Sequence, residues 1–473
     1  MGSYSIPVCH VVAMPYPGRG HVNPMMNLCI MLATRKPDIL VSFVVTEEWE
    51  GLIKSEARPD NVQLATIPNV IPSEFERAKD FPAFMNAVST KMEAPFAELL
   101  DRLDLPPTAI IADTKLVWSI GCANKKNIPI ASLWPMSATV YSVLYHLDMM
   151  KERGHFPVEL SEIGDEVVDY IPGMAPTQIR DLPTVLYGQD VRLLERALNT
   201  VNLVSNAQYL MFTTAYEIEP EVIDALQAKY DIPVYAVGPS VPFFKLSEEY
   251  VTNRSVANGH AEDIPEYFQW LDSQEPGSVL YISQGSFLSV SPTQMDEIVA
   301  GIRESGIKYL WVARGDVSQL KSNAGDNGMV VPWVDQLRVL CHPAVGGFWS
   351  HCGWNSSLES AFSGLPVLTY PIFWDQVPNS KKIVEEWKTG WRVRRKIGHE
   401  DFVSREVIAD IAKRFMDPDN EEVKKTRERA KEVRASCLKA ISKGGSTEKN
   451  LYAFIEDITA KAQKKSLEKP LSN

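Results

Sequence analysis

The segment from Trp333 to Gln376 carries side chains in an order that suits a nucleotide bearing a sugar. A helix that begins near Asn355 would offer unpaired backbone amides and the positive end of its dipole to an anion. Trp333 could stack on a planar base, and Glu359, one turn into that helix, could accept hydrogen bonds from a diol such as ribose. Asp375 and Gln376 follow the next strand and could bind a sugar's hydroxyls. The order predicts a nucleotide-sugar site.

Each of these residues also has a plain structural interpretation. Asn355 or Ser356 could simply cap the helix. Trp333 could belong to the core, and Glu359 could be a surface carboxylate. The prediction therefore depends on the order of the residues along the chain and not on any one of them.

The elements that would position these residues alternate between strand and helix, which is typical of parallel α/β folds. In the first half, short apolar runs predict strands at Val8–Met14, Leu40–Thr46, Ala109–Asp113 and Val234–Gly238. The pattern restarts in the second half, at Ser278–Ser283, Tyr309–Ala313, Met329–Val331, Val345–Trp349 and Pro366–Pro371. Between the first two of these, Met295, Ile298, Val299 and Ile302 repeat at helical spacing. We predict two doubly wound domains with a ligand cleft between them.

The predicted domain boundaries follow changes in composition. The stretch FKLSEEYVTNRSVANGHAED is polar and aperiodic, so we place a linker at residues 243–263, after a first domain at 1–242. The second domain then covers residues 264–450. Residues 451–473 form a C-terminal tail that we expect to be helical and to pack back on the first domain.

Composition and charge exclude several classes of protein. With 45% hydrophobic and 23% charged residues the chain is an ordinary globular protein, and its net charge of −12 disfavours nucleic-acid or anionic-membrane partners. The six cysteines are scattered without a CxxC pair, which fits neither a zinc ribbon nor a disulfide scaffold. Neither a secretory signal pattern nor an apolar run of membrane length is present. We expect a cytoplasmic monomer without an integral membrane segment.

Taken together, these motifs resemble plant family 1 UDP-dependent glycosyltransferases. The stretch Trp333–Gln376 has the 44-residue length of that family's signature. The segments PYPGRGHVNPMMNL, IIADTKLVWS, IPGMAPTQIRDLP, YAVGPS, WLDSQEPGSVLYISQGS and YLWVAR resemble its other landmarks in the expected order, over nearly the whole chain. The resemblance implies the GT-B fold, in which two Rossmann-like domains face one another.

The resemblance also assigns roles in a UDP-sugar site. It implies that Trp333 stacks on uracil and that Glu359 binds the ribose. The other implied UDP-binding residues are Ser286, Val334, Gln336, His351, Trp354, Asn355 and Ser356. Asp375 and Gln376, with Trp354, would bind the sugar, and a glutamine at the last position resembles the glucose-using members. UDP-glucose is thus expected as a co-substrate, with no cofactor and no metal.

By the same resemblance His21 is the catalytic base and Asp113 its partner. The chemistry supports this, since sugar transfer to a hydroxyl requires removal of a proton, and histidine titrates near neutrality. A carboxylate on the second ring nitrogen would fix the tautomer. A single displacement would invert the anomeric carbon and give a β-glycoside. As an isolated residue, His21 could equally be structural.

Two positions depart from the family pattern. Pro135 stands where the family often has a threonine that contacts the donor sugar, so another residue or water must compensate or the donor may differ. Gln284 stands where an apolar residue is common. For the acceptor we expect a small lipophilic flavonoid, phenolic or terpenoid with a hydroxyl or carboxyl group, bound by residues of the first domain: Pro15, Tyr16, Trp134, Met136, Tyr141, Met149 and Tyr187.

Three alternatives remain open. A dehydrogenase is disfavoured because GRGHVN lacks the third glycine of the dinucleotide fingerprint. A non-catalytic UDP-sugar-binding protein would keep the signature segment but would need neither His21 nor Asp113. The same fold with another UDP-sugar donor is a third alternative.

Overall fold

The computed structural model describes residues 9–77, 79–188, 190–246, 264–285, 290–313, 327–394 and 402–467. Within these residues the first half of the chain forms a sheet of seven parallel strands. From one edge to the other they are Val62–Ile67, Ile39–Thr46, Cys9–Met14, Ala109–Asp113, Ile130–Trp134, Tyr209–Phe212 and Val234–Ala236. Cys9–Met14 lies beside Ala109–Asp113, where the strand order reverses. Such a reversal opens a crevice at the carboxyl ends of the strands.

The second half of the chain builds another parallel sheet, of six strands in the described residues. In spatial order they are Gly328–Val331, Lys308–Val312, Val279–Ser283, Val345–Ser350, Val367–Thr369 and Gly390–Arg392. Here the order reverses between Val279–Ser283 and Val345–Ser350. Each sheet therefore has its own crevice for ligands.

Helices cover both sheets. In the first half they are Arg19–Arg35, Glu47–Ile53, Phe81–Lys91, Glu93–Arg102, Trp118–Lys125, Ala138–Tyr145, Leu147–Glu152, Leu160–Ile163, Val191–Leu203 and Pro220–Gln227. In the second half they are Glu266–Asp272, Pro292–Ser305, Gln336–Leu340, Trp354–Ser363, Gln376–Lys381, Arg405–Met416, Glu421–Ile441 and Ser446–Leu467. Among the described helices, none pairs the length needed to span a bilayer with sufficient apolar character.

The α/β fold with parallel sheets is confirmed. Central strands such as Cys9–Met14 are buried at every position, as expected when helices cover both faces. The helix Pro292–Ser305 matches its predicted period, and Ile298 and Ile302 on its apolar face are buried. Ser291 caps its start and Gly306, in the left-handed region, ends it.

Several strands were not predicted from the sequence: Val62–Ile67, Ile130–Trp134, Tyr209–Phe212 and Gly390–Arg392. Two of them are edge strands, and Val62–Ile67 is only partly buried, so its apolar pattern is weak. Most of the predicted linker, residues 247–263, lies outside the described residues. The domain boundaries stay a prediction.

The helix Ser446–Leu467 begins before the predicted tail and packs against the first sheet. Leu451, Phe454 and Ile458 enter the core formed by that sheet. Asp457 accepts a hydrogen bond of 2.6 Å from the Tyr209 hydroxyl. The chain therefore returns to the first sheet after completing the second.

Buried ion pairs connect the two halves of the chain. Lys382 lies 3.6 Å from Glu219, and both side chains are almost completely buried. Glu219 also accepts hydrogen bonds from the backbone amides of Ala138 and Thr139, at the start of a helix. One carboxylate thus caps a helix of the first half and neutralises a lysine of the second.

We predict that Glu219→Ala destabilises the protein severely. It would leave Lys382 with Glu386, 2.7 Å away, as its remaining acidic partner and would leave the buried amides of Ala138 and Thr139 without this acceptor, which together cost about 3 kcal/mol or more. Calorimetry should show a melting temperature lower by about 6 °C or more. The control is Glu195→Ala, which removes an exposed carboxylate and should change the melting temperature little. Equal melting temperatures for the two variants would contradict the assigned role of Glu219.

Candidate active site

A cleft of about 1200 Å³ lies where the carboxyl ends of the two sheets meet. It is lined from both halves of the chain. The predicted site residues that line it are Tyr16, His21, Trp134, Met136, Trp333, Val334, Gln336, His351, Trp354, Asn355, Ser356, Glu359, Asp375 and Gln376. Residues more than 300 positions apart are thus brought into one site. Ser286 lies outside the described residues.

His21 and Asp113 form a hydrogen-bonded pair at the crevice of the first sheet. Nδ1 of His21 lies 2.6 Å from Oδ2 of Asp113. Asp113 ends its strand and is buried, and its other oxygen accepts a hydrogen bond of 2.9 Å from the backbone amide of Lys115. Burial lowers the pKa of His21 from its usual 6.5, although Asp113 opposes this shift. The imidazole is therefore mainly neutral at pH 7 and able to accept a proton.

The helix Trp354–Ser363 begins in the cleft without a side-chain cap. Gly353 occupies the cap position, so the interpretation of Asn355 or Ser356 as a simple cap is wrong. Asn355 instead donates a hydrogen bond of 3.1 Å to the carbonyl oxygen of Gly20, across the cleft. The backbone amide of Trp354 is directed to Asp375, and the amides of the next two residues and the positive dipole end are left for an anion.

His351 follows a strand of the second sheet and packs against two glycines. A Cβ atom at Gly285 would lie 2.5 Å from Nε2 of His351, and one at Gly353 would lie 2.6 Å from it. Gly285 also has a φ of +82°, which side chains rarely adopt. These glycines allow the imidazole to sit beside the start of the helix.

A polar network lies next to that helix. Nε2 of Gln336 donates hydrogen bonds to Glu359 at 2.6 Å and to Ser356 at 3.0 Å. Oε1 of Gln336 accepts one of 3.0 Å from the buried Tyr281 hydroxyl. Burial raises the pKa of Glu359 to about 7. Its carboxylate is therefore well placed to gain from hydroxyl donors supplied by a ligand.

Trp333 is 69% exposed although it is a tryptophan in a folded protein. The interpretation of this residue as core is therefore wrong. Its neighbour Val334 is 5% exposed and packs in the core of the second sheet. Trp333 provides a free aromatic wall of the cleft on which a planar base could stack.

Asp375 and Gln376 lie where the strand Val367–Thr369 has ended. Asp375 is buried and accepts a hydrogen bond of 2.9 Å from Asn379, and burial raises its pKa to about 6. Oε1 of Gln376 accepts hydrogen bonds from the backbone amides of residues 372 and 373, at 2.8 and 3.0 Å. The amide nitrogen of Gln376 thereby remains available as a donor.

Only part of the predicted acceptor pocket lines the cleft, and four of its residues do not. Pro15 is buried away from it, and Met149 is not part of its lining. Tyr141 is fully buried in the core, with its hydroxyl 2.6 Å from that of Tyr230. The Tyr187 hydroxyl donates to the carbonyl oxygens of residues 180 and 182. Tyr16, Trp134 and Met136 do line the cleft.

The sequence did not identify several other residues that line the cleft. They are Arg77, Phe81, Met85, Lys115, Leu193, Arg196 and Trp374. Lys115 could have been found, because it lies two positions after Asp113. The others lie on separate helices and loops, and nothing in their local sequence identifies them as residues of the cleft.

Trp374 lines the cleft and connects the two halves of the chain. Its backbone amide donates to the Thr184 hydroxyl at 2.8 Å, and the Thr184 amide donates to the carbonyl oxygen of Trp374 at 3.1 Å. Its indole N–H is 3.1 Å from the sulfur of Met136, and Nζ of Lys115 lies 5.2 Å from the ring centre. These contacts fix the position of Asp375, the next residue.

Comparison with known proteins points to a single family. The family model described as UDP-glucoronosyl and UDP-glucosyl transferase matches residues 83–412. UDP-glycosyltransferase 87A2 of Arabidopsis thaliana is 52% identical over 95% of this chain and 97% of its own length. UDP-glycosyltransferase 87A1 of the same plant is 51% identical over 94% of this chain and 99% of its own length.

Solved structures share the fold. UGT2 of Phytolacca americana, complexed with UDP-2-fluoro-glucose and pterostilbene, has a TM-score of 0.78 at 25% identity, covering 95% of this chain and 100% of its own. UGT71G1 of Medicago truncatula, complexed with UDP-glucose, has a TM-score of 0.78 at 23% identity, covering 95% of this chain and 98% of its own. These GT-B structures confirm the two facing Rossmann-like domains.

We predict that Gly353→Ala weakens UDP binding about tenfold, as measured by titration calorimetry. The backbone of Gly353 has a φ of −59°, so alanine is not strained, but its Cβ would displace His351. A lost hydrogen bond to a charged group accounts for this factor. Gly51→Ala is the control, because nothing lies within 4 Å of a Cβ added there. UDP affinity unchanged in Gly353→Ala would contradict the contact between His351 and the diphosphate.

Proposed function

The chain belongs to the plant family 1 UDP-glycosyltransferases, and we propose that it transfers glucose from UDP-glucose to a small lipophilic acceptor, with inversion at the anomeric carbon. The family makes it a glycosyltransferase that uses a UDP-sugar. The donor sugar, the acceptor and the catalytic residues are the content of the proposal. The observation that carries it is the His21–Asp113 pair, 2.6 Å apart in a cleft that also contains the predicted UDP residues.

His21 acts as the general base in this proposal. Nε2 takes the proton of the acceptor hydroxyl as its oxygen attacks the anomeric carbon, while Nδ1 holds its proton toward Asp113. Asp113 fixes the tautomer and stabilises the imidazolium that forms. The bond between the anomeric carbon and the diphosphate oxygen breaks on the opposite face, so an α-linked donor gives a β-glycoside.

UDP leaves as an anion, and the second sheet supplies the groups that stabilise it. His351 and the first amides of the helix Trp354–Ser363 face the diphosphate, where negative charge grows. Trp333 stacks on uracil, while Gln336 and Glu359 bind the nucleoside. We propose that these groups are sufficient without a metal ion. In the described residues no cluster of three or more histidine, cysteine or acidic side chains is present.

Glucose is the proposed sugar because Asp375 and Gln376 present an acceptor and a donor to its hydroxyls. Pro135 also lines the cleft and cannot supply a side-chain hydrogen bond there. We propose that Lys115 compensates, because it lines the same cleft and its charge acts on both Asp113 and Asp375. Lys115 would therefore contact the donor sugar between the base and the sugar-binding residues.

The acceptor side supports an aromatic or similarly flat compound. Tyr16, Trp134, Met136 and Trp374 line it, and such side chains bind apolar surfaces well. UGT2 of Phytolacca americana was solved with pterostilbene, which agrees with this class. We further propose that the enzyme works as a monomer in the cytoplasm.

We predict that His21→Ala lowers kcat at least about a thousandfold and leaves UDP-glucose affinity unchanged. The variant lacks the base but keeps the residues assigned to the donor. The assay measures acceptor-dependent UDP release with pooled flavonoids, phenolics and terpenols, and calorimetry measures donor binding. His155→Ala, which removes a histidine outside the cleft, is the matched control.

The same assay across pH tests the state of the base. Below its pKa the imidazole is protonated and cannot accept a proton, so kcat/KM should fall as the pH decreases through that value. Because burial lowers the pKa of His21 from 6.5, the inflection should lie below about 6.5. Full turnover by His21→Ala, or an inflection clearly above 6.5 in the wild type, would argue against His21 as the base.

We predict that Lys115→Met lowers kcat/KM for UDP-glucose about tenfold and leaves the affinity for UDP itself unchanged. The lost group is a charged hydrogen-bond donor to the sugar, and UDP carries no sugar. Steady-state kinetics and calorimetry measure the two quantities. Lys126→Met, which removes a lysine paired with Asp101 outside the cleft, is the control. Equal losses in UDP binding and in kcat/KM would contradict a contact between Lys115 and the donor sugar.

A further inference from the structure

Three of the cations that line the cleft act on Tyr16 or His21: Arg77, Lys115 and Arg196. Arg77 pairs with Glu74 at 3.1 Å, and Asp113 is engaged by His21. Among the described residues, Lys115 and Arg196 have no carboxylate within 4 Å.

Arg196 is the more unusual of the two cations. It lies in the middle of the helix Val191–Leu203, between the buried Leu194 and Ala197, and lines the cleft. Its Nη1 atom is inaccessible to water and has no hydrogen-bond partner in the described part of the chain. A buried, unpaired donor on a charged group raises the free energy of the folded protein. We therefore expect Nη1 of Arg196 to bind a ligand atom that accepts its hydrogen bond.

Arg192, one turn earlier on the same helix, shows the contrast. Its Nε and Nη2 atoms each lie 2.8 Å from an oxygen of Asp190, at an exposed site outside the cleft. Asp190 therefore uses both carboxylate oxygens on Arg192. Arg196 is left without a carboxylate although an acidic residue stands nearby in the sequence.

Tyr16 provides the spatial link between Arg196 and His21. The Tyr16 ring lies 5.1 Å from the ring of His21, centre to centre. Arg196 is close enough to Tyr16 for its charge to act on the phenol. An acceptor that spans Tyr16 could therefore place one end at His21 and the other at Arg196. Lys115 is assigned differently, because its charge acts on Asp113 and Asp375 and its proposed contact is with the donor sugar.

We propose that the acceptor is a hydroxylated carboxylic acid whose carboxylate binds Arg196 while its hydroxyl reaches His21. The inference rests on the proposed function and narrows its acceptor class to anionic compounds. The hydroxyl oxygen forms the bond to the anomeric carbon, its proton passes to His21, and UDP leaves with the electron pair of the broken bond. The carboxylate is unchanged. The planar guanidinium of Arg196 suits a carboxylate, because a guanidinium can donate two parallel hydrogen bonds to the two carboxylate oxygens.

The test compares acids with their own methyl esters, which keep the hydroxyl and lose the charge. The probes are para-hydroxybenzoic acid, para-hydroxycinnamic acid and a hydroxylated fatty acid. Binding to the full chain in the presence of UDP is measured by titration calorimetry, and turnover with UDP-glucose by product analysis. The variants are Arg196→Met, Arg196→Lys and the control Arg192→Met.

For the best-bound acid, the wild type should prefer the acid over its ester by about 10- to 100-fold. Arg196→Met should bring this ratio close to one, Arg196→Lys should restore part of it, and Arg192→Met should keep it. A wild-type ratio near one for every pair, or an equal ratio in Arg196→Met, would overturn the proposal.

The binding and turnover measurements separate the two levels of the proposal. Esters that are glucosylated as well as the acids would overturn the acidic acceptor and leave glucosyl transfer standing. Selective binding of an acid through Arg196 without transfer of glucose would support the acceptor site and count against the proposed reaction. The product should be a glucoside of the hydroxyl, and a glucose ester of the carboxylate would overturn the assigned orientation.

Discussion

The site depends on one constraint: a parallel sheet covered by helices on both faces can present a ligand only to the ends of its strands. Both sheets meet this constraint at the point where their strand order reverses. His21 follows one central strand of the first sheet and Asp113 ends its neighbour. His351 follows a central strand of the second sheet. The proposed base and the groups proposed to bind the diphosphate are thereby presented to one cleft.

The relative position of the two sheets decides whether these groups can act on one molecule. Asn355 bonds to the backbone of Gly20, beside the proposed base His21, and Trp374 bonds reciprocally to Thr184. Both residues belong to segments that would hold the donor. Some of the contacts between the halves are thus made by the residues proposed to hold the donor, and the buried Glu219–Lys382 pair and the Arg392–Asp181 pair support them from outside the cleft. A change in these contacts would therefore alter both the stability of the two-sheet arrangement and the geometry of the site.

The sequence predicted the donor half of the site better than the acceptor half, and the reason is physical. Residues from Trp333 to Gln376 are close in the chain, so their order alone suggested their ligand, and the structure brings them to one cleft. The acceptor side draws on separate helices, so Arg196 had no local signal. Aromatic residues were ambiguous because the same types fill cores, and Tyr141 is core. Several central strands were recognised from their continuous apolar runs, but Ile130–Trp134 and Tyr209–Phe212 were missed although they are central and fully buried, as was the short edge strand Gly390–Arg392.

The donor site keeps carboxyl groups where their charge is disfavoured. Burial raises the pKa of Glu359 from 4.5 to about 7 and that of Asp375 from 3.8 to about 6. A raised carboxyl pKa means that the folded protein loses stability as the pH rises from the ordinary value to the raised one, because ionisation must occur in a buried place. Hydroxyl donors of a ligand favour the ionised form and so recover part of this cost. Hydrogen bonds from a sugar or ribose would therefore stabilise the ionised form of these carboxyl groups. This favours the binding of ligands whose hydroxyls reach Glu359 and Asp375.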